Sequence, residues 1–343
     1  MSAGPARARA PLAVGLLVGV LLVLGGCATP QVSQLGQLKQ IPQAQNTASA
    51  EGQYSSAPLA ALPMAAFVPG VPFFPQTQYH CGPSALAMVV QHAGLSVQPD
   101  DLTDQVYLPG RQGSLQVEML VASRRQGLVA YPLAPRLENL LREVAAGHPV
   151  VVLQNLAFNF SPLWHYAVVI GYDRERNVII LHSGVTERLE LSLYTFERTW
   201  ARGDYWSMVA LQPSKLPFTA EADSYVTAAA AMERAQPRAA NTAYASALKA
   251  WPAHRAALFG LGNTAYATGE LARAADAFVE LTRQHPAFAD AWNNLAQVRL
   301  DQGQLPQAAA AIDRAVELGG VRASRYLALQ ASIRSRLTGA RSG

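Results

Sequence analysis

The sequence predicts an α+β domain followed by an all-α array of helical hairpins. Three observations carry this prediction. Residues 71–211 alternate short apolar runs with turns, as a mixed sheet-and-helix domain does. Residues 221–343 are rich in alanine and nearly free of β-branched runs, as helices are. That second region also repeats with a fixed period. A chain of 343 residues with 50% hydrophobic and only 15% charged side chains is neither disordered nor collagen-like, and its length suits about two domains.

The N-terminus reads as an address. Arg7 and Arg9 precede an almost wholly apolar run, Pro11 to Leu24, which is too short to span a bilayer and fits the h-region of a secretory signal. It ends in Leu24-Gly25-Gly26-Cys27, which resembles the bacterial lipobox. That resemblance implies a signal at 1–26, lipid attachment at Cys27 and cleavage before it. Several acyl chains hold a protein to a membrane far better than one. The absence of aspartate at Ala28 implies, by resemblance to lipoprotein sorting, an outer-membrane protein facing the periplasm. Residues 27–70 are rich in Gln, Ala, Ser and Pro and read as a lipid-anchored tether, with an r.m.s. span of about 35–40 Å if coil-like.

This reading changes the meaning of charge and cysteine count. The formal net charge is +4 and residues 1–26 hold two arginines and no acid, so +2 remains after processing. The basic side chains of the C-terminal region are scattered and no nucleic-acid motif accompanies them, so no nucleic-acid partner is expected. Of the two cysteines, Cys27 is committed to lipid, which leaves Cys81 as a lone thiol in a disulfide-forming compartment.

The chemistry is expected around Cys81. Phe73 to Ser84 leads into Ala85-Leu86-Ala87-Met88-Val89-Val90, where apolar residues recur at helical spacing. Pro83 suits a first helical turn, where its missing N–H is not needed. Cys81 therefore falls at a helix N-terminus, where the macrodipole is expected to lower the thiol pKa. Gly82 is expected to let a substrate backbone approach closely. A glutamine just upstream can turn its amide N–H toward a developing oxyanion. A base is needed as well. His165 opens the apolar run Tyr166-Ala167-Val168-Val169-Ile170-Gly171-Tyr172-Asp173, which reads as a buried strand. From the end of that strand the imidazole can reach the Cys81 helix tip and form an ion pair with the thiol.

The pattern Gln…Cys81-Gly82-Pro83-Ser84-x-Leu86-x-Met88, then His165-Tyr166-x-Val168-Val169-x-Gly171-Tyr172-Asp173, resembles the bacteriocin-processing, double-glycine type of cysteine peptidase over about residues 68–212. The resemblance implies a papain-like fold, Cys81 as nucleophile, His165 as base, and Gln76 as oxyanion donor with Gln78 as the alternative. Those relatives place an Asp-Pro pair after the next strand to orient the histidine. Here the strand Asn177–Leu181 ends in His182-Ser183-Gly184, so His182 or Ser183 takes that place. No metal and no cofactor is expected. His80 beside Cys81 makes a poor metal pair, since adjacent residues rarely ligate one ion together.

The period of the C-terminal region is 34. It separates Pro252 from Pro286, Gly269 from Gly303, Ala240 from Ala274 and Ala308, and Tyr244 from Phe278 and Ile312. It resembles the tetratricopeptide repeat, a helix-turn-helix unit of 34 residues that buries its face only by stacking. Leu261-Gly262, Ala274, Phe278 and Pro286 match in one unit, and Trp292, Leu295, Ala308 and Ala315 in the next. The units are set at 221–254, 255–288 and 289–322, with a capping helix near 323–337 and a linker at 212–220. Ala228, Gln236-Pro237 and Gly319-Gly320 depart from the pattern.

The whole reads as a membrane-anchored thiol hydrolase that cleaves a peptide or amide bond through a thioester. The repeats would recruit a protein substrate or partner. The alternatives are a peptidase-fold scaffold that binds peptide without cutting it, and acyl transfer to an amine.

Overall fold

The computed structural model describes residues 62–76 and 80–339. The signal, Cys27, most of the tether and Gln78 lie outside the described residues. Among the described residues no helix is long and apolar enough to cross a membrane.

The first domain opens with β1 (Ala65–Phe67), α1 (Cys81–His92) and α2 (Pro99–Val106). A small hairpin follows, β2 (Tyr107–Leu108) and β3 (Gly113–Ser114), joined by a 3-10 turn over Pro109–Arg111. Next come α3 (Gln116–Arg125), β4 (Val129–Pro132) and α4 (Leu137–Ala145). The domain closes with β5 (Val150–Asn155), β6 (Trp164–Asp173), β7 (Val178–Ser183), β8 (Thr186–Ser192), α5 (Leu193–Ala201) and β9 (Ser207–Leu211). The main sheet is antiparallel in the order β4-β9-β5-β6-β7-β8, and β1 pairs with the C-terminal end of β6.

β5 is buried at every residue, and β6 from Tyr166 to Tyr172, so both faces of the sheet are covered at its centre. α1 is buried from Gly82 through Val90, the all-round apolarity of a central helix rather than an amphipathic one. It packs across β5, β6 and β9. The core is therefore assembled around the helix that begins with Cys81.

The helical region comprises α6 (Ala222–Ala230), α7 (Pro237–Ala250), α8 (Arg255–Ala267), α9 (Leu271–Gln284), α10 (Ala289–Asp301), α11 (Leu305–Leu318) and α12 (Ala323–Gly339). The 34-residue step is visible in the starts of α7, α9 and α11 at 237, 271 and 305. Gly269 and Gly303 turn the chain between paired helices at φ of +80° and +74°, where a Cβ would be strained. Gly262 has a different task. A Cβ there would lie 2.6 Å from the Phe278 ring, so the missing side chain is the seat of that ring.

The segment 212–220, expected as a linker, is packed. Pro213, Pro217 and Ala220 are buried. Glu143 of α4, wholly buried, accepts hydrogen bonds from Thr219 N (2.7 Å), Thr219 Oγ1 (2.6 Å) and Phe218 N (3.2 Å), and contacts His148 Nδ1 at 2.6 Å. The hydrophobic core of the first domain runs without interruption into α6 and α7, while a second core serves α8 to α12. The first helical pair thus belongs to both regions.

Candidate active site

The site forms where β6 outruns β7. The β6–β7 ladder begins at Val168 opposite His182. Tyr166 lies beyond it, so its backbone is open to other partners. Gln76 takes the carbonyl: its Nε2 donates to Tyr166 O at 3.2 Å. Gln76 is also fixed from the other side. Its Oε1 accepts from Gly184 N at 3.1 Å, and its own backbone N–H donates to Gly184 O at 2.9 Å. These partners set the amide orientation and leave the second Nε2 hydrogen for another acceptor. The side chain is buried.

Cys81 is the first residue of α1, preceded by His80 at the N-cap, and no side chain caps that first turn. Its thiol is hydrogen-bonded by the backbone of Tyr166, of Gly82 and of Cys81 itself. Gln76, Cys81 and the His165–Tyr166 pair thus meet at one peptide segment of β6.

The His165 ring is held from its far side. Nε2 lies 2.9 Å from Ser183 Oγ. In the tautomer that donates from Nε2, the lone pair sits on Nδ1, the form a general base requires. His182 is elsewhere. Its Nε2 lies 3.2 Å from Val71 O, its Nδ1 accepts from Arg188 N at 3.3 Å, and its ring packs on Phe73 at 5.2 Å between centroids. Neighbouring residues on a strand point to opposite faces, so only one of the two can face His165. Of the two residues expected in that place, His182 and Ser183, Ser183 is the one that contacts the His165 ring, and His182 does not.

The electrostatics also depart from the expected ion pair. Burial pushes the Cys81 thiol above its ordinary value, and the three backbone hydrogen bonds only partly offset this. Burial pushes His165 down to about 4. Among the described residues no carboxylate is paired with the ring to favour its cation. Burial thus favours the uncharged form of each group.

Gly82 is corrected as well. A Cβ there would meet Ser114 Oγ at 2.1 Å, so the missing side chain makes room for the β2–β3 hairpin rather than for a substrate. The same hairpin reaches Tyr166, whose hydroxyl donates to Ser114 O at 3.3 Å, and places Tyr107 edge-on to His80 at 5.3 Å. Two residues of the site went unrecognised in the sequence: Ser114, which no motif marks, and Gly184, whose backbone clamps Gln76. Among the described residues no group of three His, Cys, Asp or Glu side chains is placed to hold a metal.

Comparison with known proteins agrees with this architecture. A family model described as the Peptidase C39 like family matches residues 68–206. A tetratricopeptide repeat model matches residues 225–281 and 263–328. The chain therefore carries a C39-like peptidase domain followed by tetratricopeptide repeats. Among solved structures, a C39-like peptidase from Bacillus anthracis is 19% identical, with a TM-score of 0.37, covering 44% of this chain and 99% of its own. The Sgt2 repeat domain from Aspergillus fumigatus is 24% identical, with a TM-score of 0.33, covering 38% of this chain and 86% of its own. No curated protein matches the chain.

Proposed function

We propose that this protein is a lipid-anchored cysteine peptidase of the bacterial envelope that cleaves a peptide or amide bond through a thioester on Cys81. The observation that carries the reading is the meeting of Cys81, Gln76 and His165 at the Tyr166 segment, with Ser183 behind the imidazole. The thiol is neutral at rest, so it loses its proton as it attacks. His165 Nδ1 takes that proton while sulfur bonds to the substrate carbonyl carbon. The oxyanion meets the second Nε2 hydrogen of Gln76 and the N–H groups that open α1. The imidazolium then protonates the leaving amine, and water hydrolyses the thioester.

Cys27 is the proposed lipid attachment site, with the domain held on the periplasmic face of the outer membrane and the repeats engaging a protein substrate or partner. Palmitate incorporation that persists in a Cys27→Ser chain would remove the anchor. The hydrolase reading is tested with a peptide-based thiol electrophile. Wild type should gain one adduct, on Cys81, and Cys81→Ala should gain none; unchanged labelling of Cys81→Ala refutes the nucleophile.

A second reading is a peptide-binding scaffold. The neutral pair and the absence of a carboxylate at His165 favour it. It predicts that the electrophile reacts with Cys81 no faster than with free cysteine.

A further inference from the structure

His182 is buried to 1% exposure at the end of an apolar strand, where a hydrophobic side chain would pack without the cost of burying a polar one. Both of its ring nitrogens are occupied. Nε2 donates to Val71 O and Nδ1 accepts from Arg188 N, a pair of partners that admits only the neutral tautomer with its hydrogen on Nε2. Burial lowers its pKa from the ordinary value and so favours the same form. Buried and with no nitrogen to spare, the ring can neither touch a substrate nor pass a proton to one. What it can do is hold together the two backbone segments that it bridges.

Those two segments are the supports of Gln76. The first is Pro69 to Pro75, which leads into it. Prolines at 69, 72 and 75 remove backbone donors, so the segment cannot pair as a regular strand and has to be held by its carbonyls. Its flanks are anchored: Val68 N donates to Ile170 O at 2.7 Å, and Gln76 N to Gly184 O at 2.9 Å. Between them, among the described residues, the bond from His182 to Val71 O is the one hydrogen bond to residues 69–75, and the Phe73 ring packs on the same imidazole. The second support is the β7–β8 turn. The ladder there runs from Leu181 opposite Leu189 to Ser183 opposite Thr186, so His182 alone faces two residues, Glu187 and Arg188. That is a β-bulge, which re-aims the side chains around it. Arg188 sits in it at φ +55°, a strained angle for a residue with a side chain, and its N–H is turned onto the imidazole. The bulge adjoins Ser183, which contacts His165, and Gly184, which clamps Gln76.

We propose that His182 is a positioning residue for the oxyanion donor, a buried brace that fixes the proline-rich segment and the β8 bulge to each other so that Gln76 stays aimed at the carbonyl under attack. The residue serves Gln76 rather than His165. The proposal rests on the hydrolase reading, since only a reaction that builds an oxyanion calls on Gln76. It makes a narrow demand. Acylation of Cys81 forms an oxyanion and needs the donor in place. Alkylation of the same thiol by iodoacetamide displaces iodide from a saturated carbon and forms none. The brace should therefore matter to the first reaction and not to the second.

The test compares these two reactions in the full chain by intact-mass analysis. His182→Phe keeps a ring against Phe73 but has no donor for Val71 O and no acceptor for Arg188 N. Acylation of Cys81 by an activated peptide thioester should slow by about ten-fold or more, as a misplaced donor implies. Alkylation by iodoacetamide should be unchanged. His182→Gln can still donate to Val71 O and should recover most of the acylation rate. In a Gln76→Ala background, His182→Phe should add no further loss, because a brace has nothing to aim once the donor is gone. Acylation at the wild-type rate in His182→Phe overturns the proposal, and so do losses that multiply with Gln76→Ala. A variant slowed equally in both reactions, or one that misfolds and is not rescued in His182→Gln, reduces His182 to a structural residue and overturns it too. A wild type that the thioester does not acylate at all removes the hydrolase reading and this proposal with it. That outcome is distinct from a wild type that is acylated and a His182→Phe chain that matches it.

Discussion

The peptidase domain and the repeat array both rely on residues with little or no side chain, but for different reasons. In the array the small residues recur. Ala240, Ala274 and Ala308 are all fully buried one period apart, and Gly260 and Gly262 seat the rings of Tyr244 and Phe278. In the peptidase domain Gly82 serves a single contact, with Ser114 on a hairpin more than thirty residues away. Periodic close packing is local and can be read from spacing. A single close contact between distant segments leaves no pattern. The comparison teaches that the array's structure lies in its repetition, whereas the peptidase domain's structure lies in contacts that occur once.

The junction is where this contrast is most easily broken. Glu143→Ala removes the carboxylate that four donors in and beside the 212–220 segment share. Leaving these part-buried donors without their acceptor should cost about 2–3 kcal/mol. Because one core runs from the peptidase domain into α6 and α7, wild type should melt as a unit, and Glu143→Ala should separate a peptidase transition from a repeat transition in calorimetry. A melt that stays single and shifts by less than a degree would show that the 212–220 segment does not couple the two regions.

Two glycines sharpen the contrast at smaller scale. Gly82→Ala drives a Cβ into Ser114 and should cost about 1–3 kcal/mol by denaturant titration, as overpacking does. It should also depress cleavage, since the displaced hairpin contacts Tyr166. Gly269→Ala meets open space but must hold φ at +80°, and should cost about 1–2 kcal/mol. Cleavage should be unchanged, because the strain is confined to a repeat turn.

The smallest expected effect concerns proton balance. His165 must be neutral to accept the thiol proton, and its pKa sits at about 4. Cleavage should therefore persist as pH falls from 7 to 5 and be lost only as pH falls through about 4. Ser183→Asp places a carboxylate behind Nε2, which favours the imidazolium and raises that pKa. The acid limb of kcat/KM should move upward, with up to about a ten-fold gain in rate at neutral pH from the stabilised cation. An acid limb near the ordinary histidine value in wild type would contradict the buried, neutral pair.

Much of this was legible in the sequence. The 34-residue step marked the helices because stacking demands small residues at fixed intervals. Cys81 before Gly82-Pro83, and His165 at the head of an apolar run, were legible because the thiol and imidazole stand out against apolar surroundings. The choice between His182 and Ser183 was not legible. It depends on strand parity, and β7 meets irregular register on both sides, between Val169 and Gly171 of β6 and between its own Leu181 and Ser183. The raised thiol pKa was hidden for a related reason. The helix N-terminus is a local feature, but the thiol's burial depends on segments far along the chain, among them that of Tyr166.

The central claim is that His165 deprotonates Cys81 during attack. It is tested most directly by intact-mass analysis of the acyl-enzyme formed from an activated peptide thioester, comparing wild type with His165→Ala at pH 7. The account predicts rapid acylation of Cys81 in wild type and a loss of about 100-fold or more in the variant, the range expected for a positioned general base. Equal acylation rates in the two chains would contradict it.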